Sequence, residues 1–263
     1  MMVVYNGVMK EKMQCWIKNQ VTHGVTEKAY KLEMTEDSKT RIGYVKEMLE
    51  DRTDLSFMVY FNHICLADPL FAGYVAALID PKSTRKLIAP ISYSHTEVKA
   101  KNIGTLAMKW VADASGVETH RVIQSYQIDT DEKKGLYTKA KAMEVNKPFF
   151  GRLREIAKTG TTIGCMICPE GHRSDTGALE KGEEGVVLID KIIQPVVNIP
   201  LGISFENGFS RNGLNFGKNL VLNIGKIETA ERKDKRITFE SLMTDLAEAL
   251  PMEMRGVWKK ETI

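Results

Sequence analysis

The stretch that decides the fold is Leu55-Ser56-Phe57-Met58-Val59-Tyr60-Phe61, which runs directly into Asn62-His63-Ile64-Cys65-Leu66-Ala67-Asp68-Pro69. Its first part is nearly continuously apolar and rich in aromatics. A run of that kind predicts a strand covered on both faces, as in a parallel sheet. Asp68-Pro69 then reads as a helix N-cap followed by a proline at the first helical position, with the helix continuing through LFAGYVAALID. His63 and Asp68 therefore fall on a strand–loop–helix junction, where α/β proteins place their chemistry.

Outward from this junction, strand and helix patterns alternate. Leu87 to Ser92, Val117 to Ser125, Thr162 to Cys168, Val196 to Phe205 and Leu220 to Ile227 read as strands. Ile103 to Ala114, Phe149 to Thr159 and Thr238 to Leu250 read as helices, and Val186 to Ile193 as amphipathic or helical. In the last helix Leu242, Leu246 and Leu250 share one face, and Pro251 stops it. Residues 1–52 read as helical and charged, with Ile42, Val45, Met48 and Leu49 at helical spacing and Thr35 or Ser38 as cap. This order predicts an α/β fold: a mixed, largely parallel central sheet flanked by helices, with a small N-terminal helical section. The section spans 1–52 and the α/β domain 53–263, together one compact unit. Asn207-Gly208 and Asn212-Gly213 mark turns in a loop that Arg211 and Lys218 make basic.

The composition narrows the class. With 263 residues, 43% hydrophobic and 27% charged, the chain can bury a sizeable core and is ordinary for a globular protein. A net charge of +3 does not call for nucleic acid, and it suits a phosphate-rich or anionic-membrane partner. The longest apolar run, Pro69 to Ile79, is far short of the roughly 20 residues that cross a bilayer, so no transmembrane helix is expected and membrane contact would be peripheral. Asn6, Lys10, Glu11 and Lys12 interrupt the N-terminus, which leaves no secretory signal and points to a reducing cytoplasm. Cys15, Cys65, Cys165 and Cys168 then read as free thiols. Cys165-x2-Cys168 lies on a strand, where positions i and i+3 face opposite ways, and no second pair exists, so no metal is expected. The charged stretch 129–147 reads as surface, its lysines a solvated helix face rather than a contact for anionic lipid or an acidic carrier.

Two motifs carry chemistry. His63 has the residue type to take a proton from a hydroxyl, and Asp68 the type to hold one ring nitrogen and stabilise the imidazolium. The second motif, Pro169-Glu170-Gly171-His172-Arg173-Ser174, follows an apolar strand. Gly171 allows a sharp turn or close approach to a ligand, Arg173 offers a bidentate grip on phosphate, and Glu170 either receives a hydroxyl or orients that arginine. Read alone, Asp68-Pro69 is equally a plain helix cap, and the second motif a polar turn held by a Glu–Arg ion pair.

In this order the two motifs resemble those of the glycerolipid acyltransferases, whose members acylate glycerol-3-phosphate or lysophospholipids in phospholipid biosynthesis. The family's first block, Asn-His-x4-Asp, is matched by Asn62, His63 and Asp68. Its third, Phe-Pro-Glu-Gly-Thr-Arg-Ser, is matched by Cys168 to Ser174 with Cys168 for Phe and His172 for Thr. Gln194 to Pro200 is similar to the fourth block, and Gly116 to Arg121 is a loose match to the second. The resemblance covers about residues 55–250. It implies that His63, oriented by Asp68, activates an acceptor hydroxyl against the thioester of acyl-CoA or an acyl-carrier protein as co-substrate, with no cofactor and no metal. It implies acceptor binding by Glu170, Gly171, Arg173, Ser174 and Arg121, and work at the inner face of a membrane. Two other readings stand beside it: a non-catalytic peripheral lipid-binding protein that keeps the fold, and a thioesterase using the same pair with water. The absence of a Gly-x-Ser-x-Gly elbow counts against the latter.

Overall fold

The computed structural model describes residues 24, 26–82, 84–93, 116–130, 135–234 and 236–259. In chain order the elements are β1 (Lys31–Met34), α1 (Glu36–Asp51), β2 (Ser56–Phe61), α2 (Asp68–Ile79), β3 (Lys86–Ser92), β4 (Glu118–Val122), α3 (Lys139–Lys158), β5 (Ile163–Ile167), α4 (Gly185–Ile193), β6 (Val196–Phe205), β7 (Asn219–Ile224), β8 (Glu228–Ala230) and α5 (Phe239–Glu248). The helix expected over 103–114 lies outside the described residues, as does Cys15.

The strands form one mixed, mostly parallel sheet in the order β1-β7-β6-β2-β5-β3-β4, with β8 pairing β6 off that path. β2 is central: it pairs in parallel with β5 through Phe57↔Gly164 and with β6 through Phe57↔Val197. β7 and β8 run antiparallel to β6. The carboxyl ends of β2, β3, β4, β5 and β6 therefore open on one rim, where α/β sheets bind their ligands.

Every residue of β2 is buried, which accounts for its unbroken apolar character. Phe57, Val59 and Phe61 pack into a core with Val45 and Leu49 of α1 and Phe71 and Val75 of α2. Met58 and Tyr60 face the opposite core, with Phe149 and Leu153 of α3, Ile189 of α4, and Leu242 and Leu246 of α5. Each large apolar side chain so enclosed contributes about 1.5–3 kcal/mol.

Three local expectations change. Lys31–Met34, inside the section read as helical, is a strand that pairs in parallel with β7. Its exposed–intermediate alternation is the period-2 signal of a short edge strand, overshadowed by the charged helix that follows. α3 starts at Lys139 instead of Phe149 and passes through Pro148. Pro148 is exposed, so the backbone carbonyl it leaves without a helical donor can be met by water, and Thr138 caps the true start by accepting from Lys141 N. Asp68 does not cap α2: Ala67 holds that position and Asp68 is already helical. Thr35 caps α1 as expected, its hydroxyl accepting from Ser38 N.

Candidate active site

The site starts where β2 ends. Asn62 is buried, and its side-chain amide pairs with Ile203 on β6 in both directions, donating to O at 2.9 Å and accepting from N at 2.8 Å. The amide acts as one more peptide of the sheet ladder, and it fixes where the chain leaves the sheet. His63 follows directly at the rim. Sequence reasoning assigned Asn62 no task; its place in the Asn-His pair was the only signal for one.

Asp68 is enclosed, yet its carboxylate is well supplied with donors. Oδ2 accepts from Ile64 N at 2.6 Å and Cys65 N at 2.7 Å, and lies 2.9 Å from His63 Nδ1. Oδ1 accepts from the Cys65 thiol at 3.0 Å. The carboxylate thus turns back from the first turn of α2 to organise the loop in front of it, where the helix dipole also favours a negative charge. An Asp at Nδ1 selects the tautomer that carries its proton there and leaves a lone pair on Nε2. The His63 side chain is 20% exposed, and Nε2 makes no hydrogen bond with the described residues.

The second motif leaves β5, the parallel neighbour of β2, and docks directly on His63. Ser174 N donates to His63 O at 2.7 Å. Glu170 Oε1 accepts from His63 N at 2.7 Å, and Oε2 accepts from Glu180 N at 2.8 Å. Glu170 is 2% exposed. Burial, opposed by those two amides, pushes its carboxyl up to about 8. The expected roles of acceptor ligand or Arg173 partner therefore do not match its geometry: both oxygens are occupied by backbone amides. Ser174 is likewise interior, its hydroxyl accepting from Gly177 N and donating to Ala178 O.

Gly171 turns the chain with φ +73°. The turn itself favours glycine, and a Cβ there would stand 3.1 Å from the Gln124 side chain, just beyond β4, which would have to give way slightly. His172 sits between Glu170 O and Glu180 Oε2, each 2.9 Å from a ring nitrogen, and packs on the Tyr126 ring.

Arg173 and Arg211 hold each other through their backbones. Arg173 Nη1 donates to Arg211 O at 3.0 Å, and Arg211 Nη2 donates to Arg173 O at 2.7 Å. Asn212 Oδ1 also accepts from Arg173, and Asp175 pairs with Arg211 Nη1. Two guanidinium groups thus stand beside the loop that touches His63. Arg211 is the residue that sequence reading noted only as part of a basic loop. Arg121 stands apart on edge strand β4; it is exposed and makes no hydrogen bond or ion pair with the described residues. Glu118 and His120 of that strand face α3, so Arg121 points to the other side of the sheet, the side of α2.

Three thiols lie among the described residues: Cys65, Cys165 and Cys168. Burial pushes Cys165 up to about 12, and it raises Cys65 and Cys168 well above the ordinary thiol range. The described residues hold no group of three or more His, Cys, Asp or Glu side chains able to hold a metal ion, and no helix among them is long and apolar enough to cross a membrane.

Compared with known protein families and with curated protein sequences, the chain matches no family model and no curated protein significantly.

Proposed function

We propose that this protein is an acyltransferase that moves a fatty acyl group from acyl-CoA or acyl-carrier protein to the hydroxyl of a glycerol-phosphate or lysophospholipid acceptor. The observation that carries the reading is the His63–Asp68 pair at 2.9 Å, its aspartate fixed by two backbone amides and its Nε2 left at the rim. Nε2 takes the acceptor's hydroxyl proton as that oxygen bonds to the thioester carbonyl carbon. The C–S bond then breaks, and the leaving thiolate takes the proton back from the imidazolium, which Asp68 stabilises meanwhile. Arg173 binds the acceptor phosphate, with Arg121 as a second cation reaching the α2 side of the sheet. The sequence resemblance of the two motifs supports the same chemistry. In this reading the protein works in the cytoplasm, at the inner face of a membrane, on substrates it meets peripherally.

The test is thiol release from a panel of acyl-CoAs and acyl-carrier protein, with and without glycerol-3-phosphate, lysophosphatidate and simple alcohols. Release that depends on acceptor and vanishes in His63→Ala is the expected result. Acceptor-independent release would mean a thioesterase, and none at all would leave a lipid-binding protein.

A further inference from the structure

We infer that the C-terminal turn after α5 is part of the site's scaffold, and that Trp258 is a positioning residue for His63. The inference rests on His63 being the base of the reaction proposed above. Residues 252–258 form two short 3-10 turns laid across the strap that follows the second motif. Met254 O accepts from Leu179 N at 2.7 Å, and the Trp258 indole N–H donates to Glu180 O at 2.8 Å. Gly256, at φ +54°, lets the turn come so close that a Cβ would lie 1.9 Å from Leu179 O. Only glycine allows this approach. Leu179 is itself buried in the core formed by α3, α4 and α5, and Trp258 packs edge-on against Phe239 of α5 with ring centroids 5.7 Å apart.

These contacts fix the peptide on either side of Glu180 Cα. Its carbonyl is held by Trp258, and its N–H is the donor to Glu170 Oε2. Glu170 Oε1 in turn holds His63 N. A chain of hydrogen bonds therefore runs from the C-terminal turn, through Glu180 and Glu170, to the backbone of the base. An imidazole that must meet a hydroxyl in attack geometry tolerates little displacement; a shift of about 1 Å can cost about a hundredfold in rate.

Trp258→Phe tests this directly, because it keeps a ring against Phe239 and removes the donor. The expected result is faster amide exchange at His63, relative to Val59 in the core, by about 2- to 10-fold, which is what one hydrogen bond is worth. A fall in kcat of similar size, with both KM values unchanged, should accompany it. Gly256→Ala should move the same quantities further. Unchanged exchange at His63 in both variants overturns the inference, and so does acceleration that is equal at His63 and Val59. Faster exchange confined to His63, in a protein that releases no thiol even as wild type, would keep the scaffold and remove the acyl-transfer reading.

Discussion

The Glu170 carboxyl group accepts the backbone N–H of His63 at 2.7 Å, joining two motifs that lie 107 positions apart in the chain. Because its other oxygen holds Glu180 N, the side chain has the geometry of a brace on His63 instead of a ligand for the proposed acceptor. Glu170→Gln separates the two. The amide presents N–H groups where one backbone donor must find an acceptor, so the loop shifts. We expect kcat to fall by about 10- to 100-fold at unchanged acceptor KM. A raised acceptor KM with kcat intact would return Glu170 to the binding site.

The same residue predicts a pH dependence of stability. Its carboxyl ordinarily titrates near 4.5 and in the fold is raised to about 8. The folded state holds that proton more tightly, so the associated stability is complete below 4.5 and is lost as pH rises through about 8. Urea unfolding of the wild type should therefore lose midpoint across this window. Glu170→Gln, which cannot ionise, should show a flatter profile; parallel profiles would refute the assignment.

Asp68 has two duties, and substitutions should divide them. His63→Ala removes the proposed base alone, so acyl transfer should drop by about 10²- to 10⁴-fold with little change in unfolding midpoint. Asp68→Asn should lower kcat as well and also destabilise the fold by about 1–3 kcal/mol, because the amides of Ile64 and Cys65 and the Cys65 thiol all donate to that enclosed carboxylate. Paired turnover and denaturation curves check this; equal stability of the two variants would mean the loop does not need the charge.

The central sheet was legible because β2 is apolar at nearly every position and because the strand–loop–helix junction has its own punctuation. The roles within the site were less so. Nothing in Pro-Glu-Gly says that Glu170 faces inward to two amides, since that depends on β5 lying beside β2. The Arg173–Arg211 clasp depends on the turn between β6 and β7 folding back over the second motif, a contact between distant segments that no spacing encodes. Asp68-Pro69 misled locally: the cap-like pair begins the helix, but the carboxylate serves the preceding loop.

Arg173 should govern the acceptor and Arg211 should support Arg173. Arg173→Ala is expected to raise acceptor KM at least about tenfold while leaving the thioester KM near its wild-type value, as the loss of a charge-assisted hydrogen bond would give. Arg173→Lys restores charge without the planar fork and should recover only part of the loss. Arg211→Ala, which frees Arg173 O from its two donors, should give a smaller rise in the same parameter. Initial-rate kinetics with each substrate varied in turn would distinguish these patterns. An unchanged acceptor KM in Arg173→Ala would argue against phosphate recognition there.

Arg85 offers a test of the frame that carries the site. Its side chain is 2% exposed, with Nε donating to Leu55 O at 2.6 Å and Nη2 donating to Leu49 O and Arg52 O. It thereby satisfies the last carbonyls of α1 and the residue that leads into β2. Asp80, beyond α2, accepts from Arg85 N and stands 3.8 Å from Nη1. Arg85→Met keeps the length but removes the side-chain donors of the Leu49 and Leu55 carbonyls and the cation beside the buried Asp80, so we expect a loss of about 3–5 kcal/mol, as for breaking a buried pair. Asp80→Asn should cost less, because the substituted side chain keeps an oxygen for one of the two amides, Thr84 N and Arg85 N, that Asp80 now serves through separate oxygens. Both changes lie at the opposite end of β2 from His63, so at temperatures where the variants remain folded their turnover should match the wild type. Lost turnover in folded Arg85→Met would show that β2 transmits strain along its length to the base.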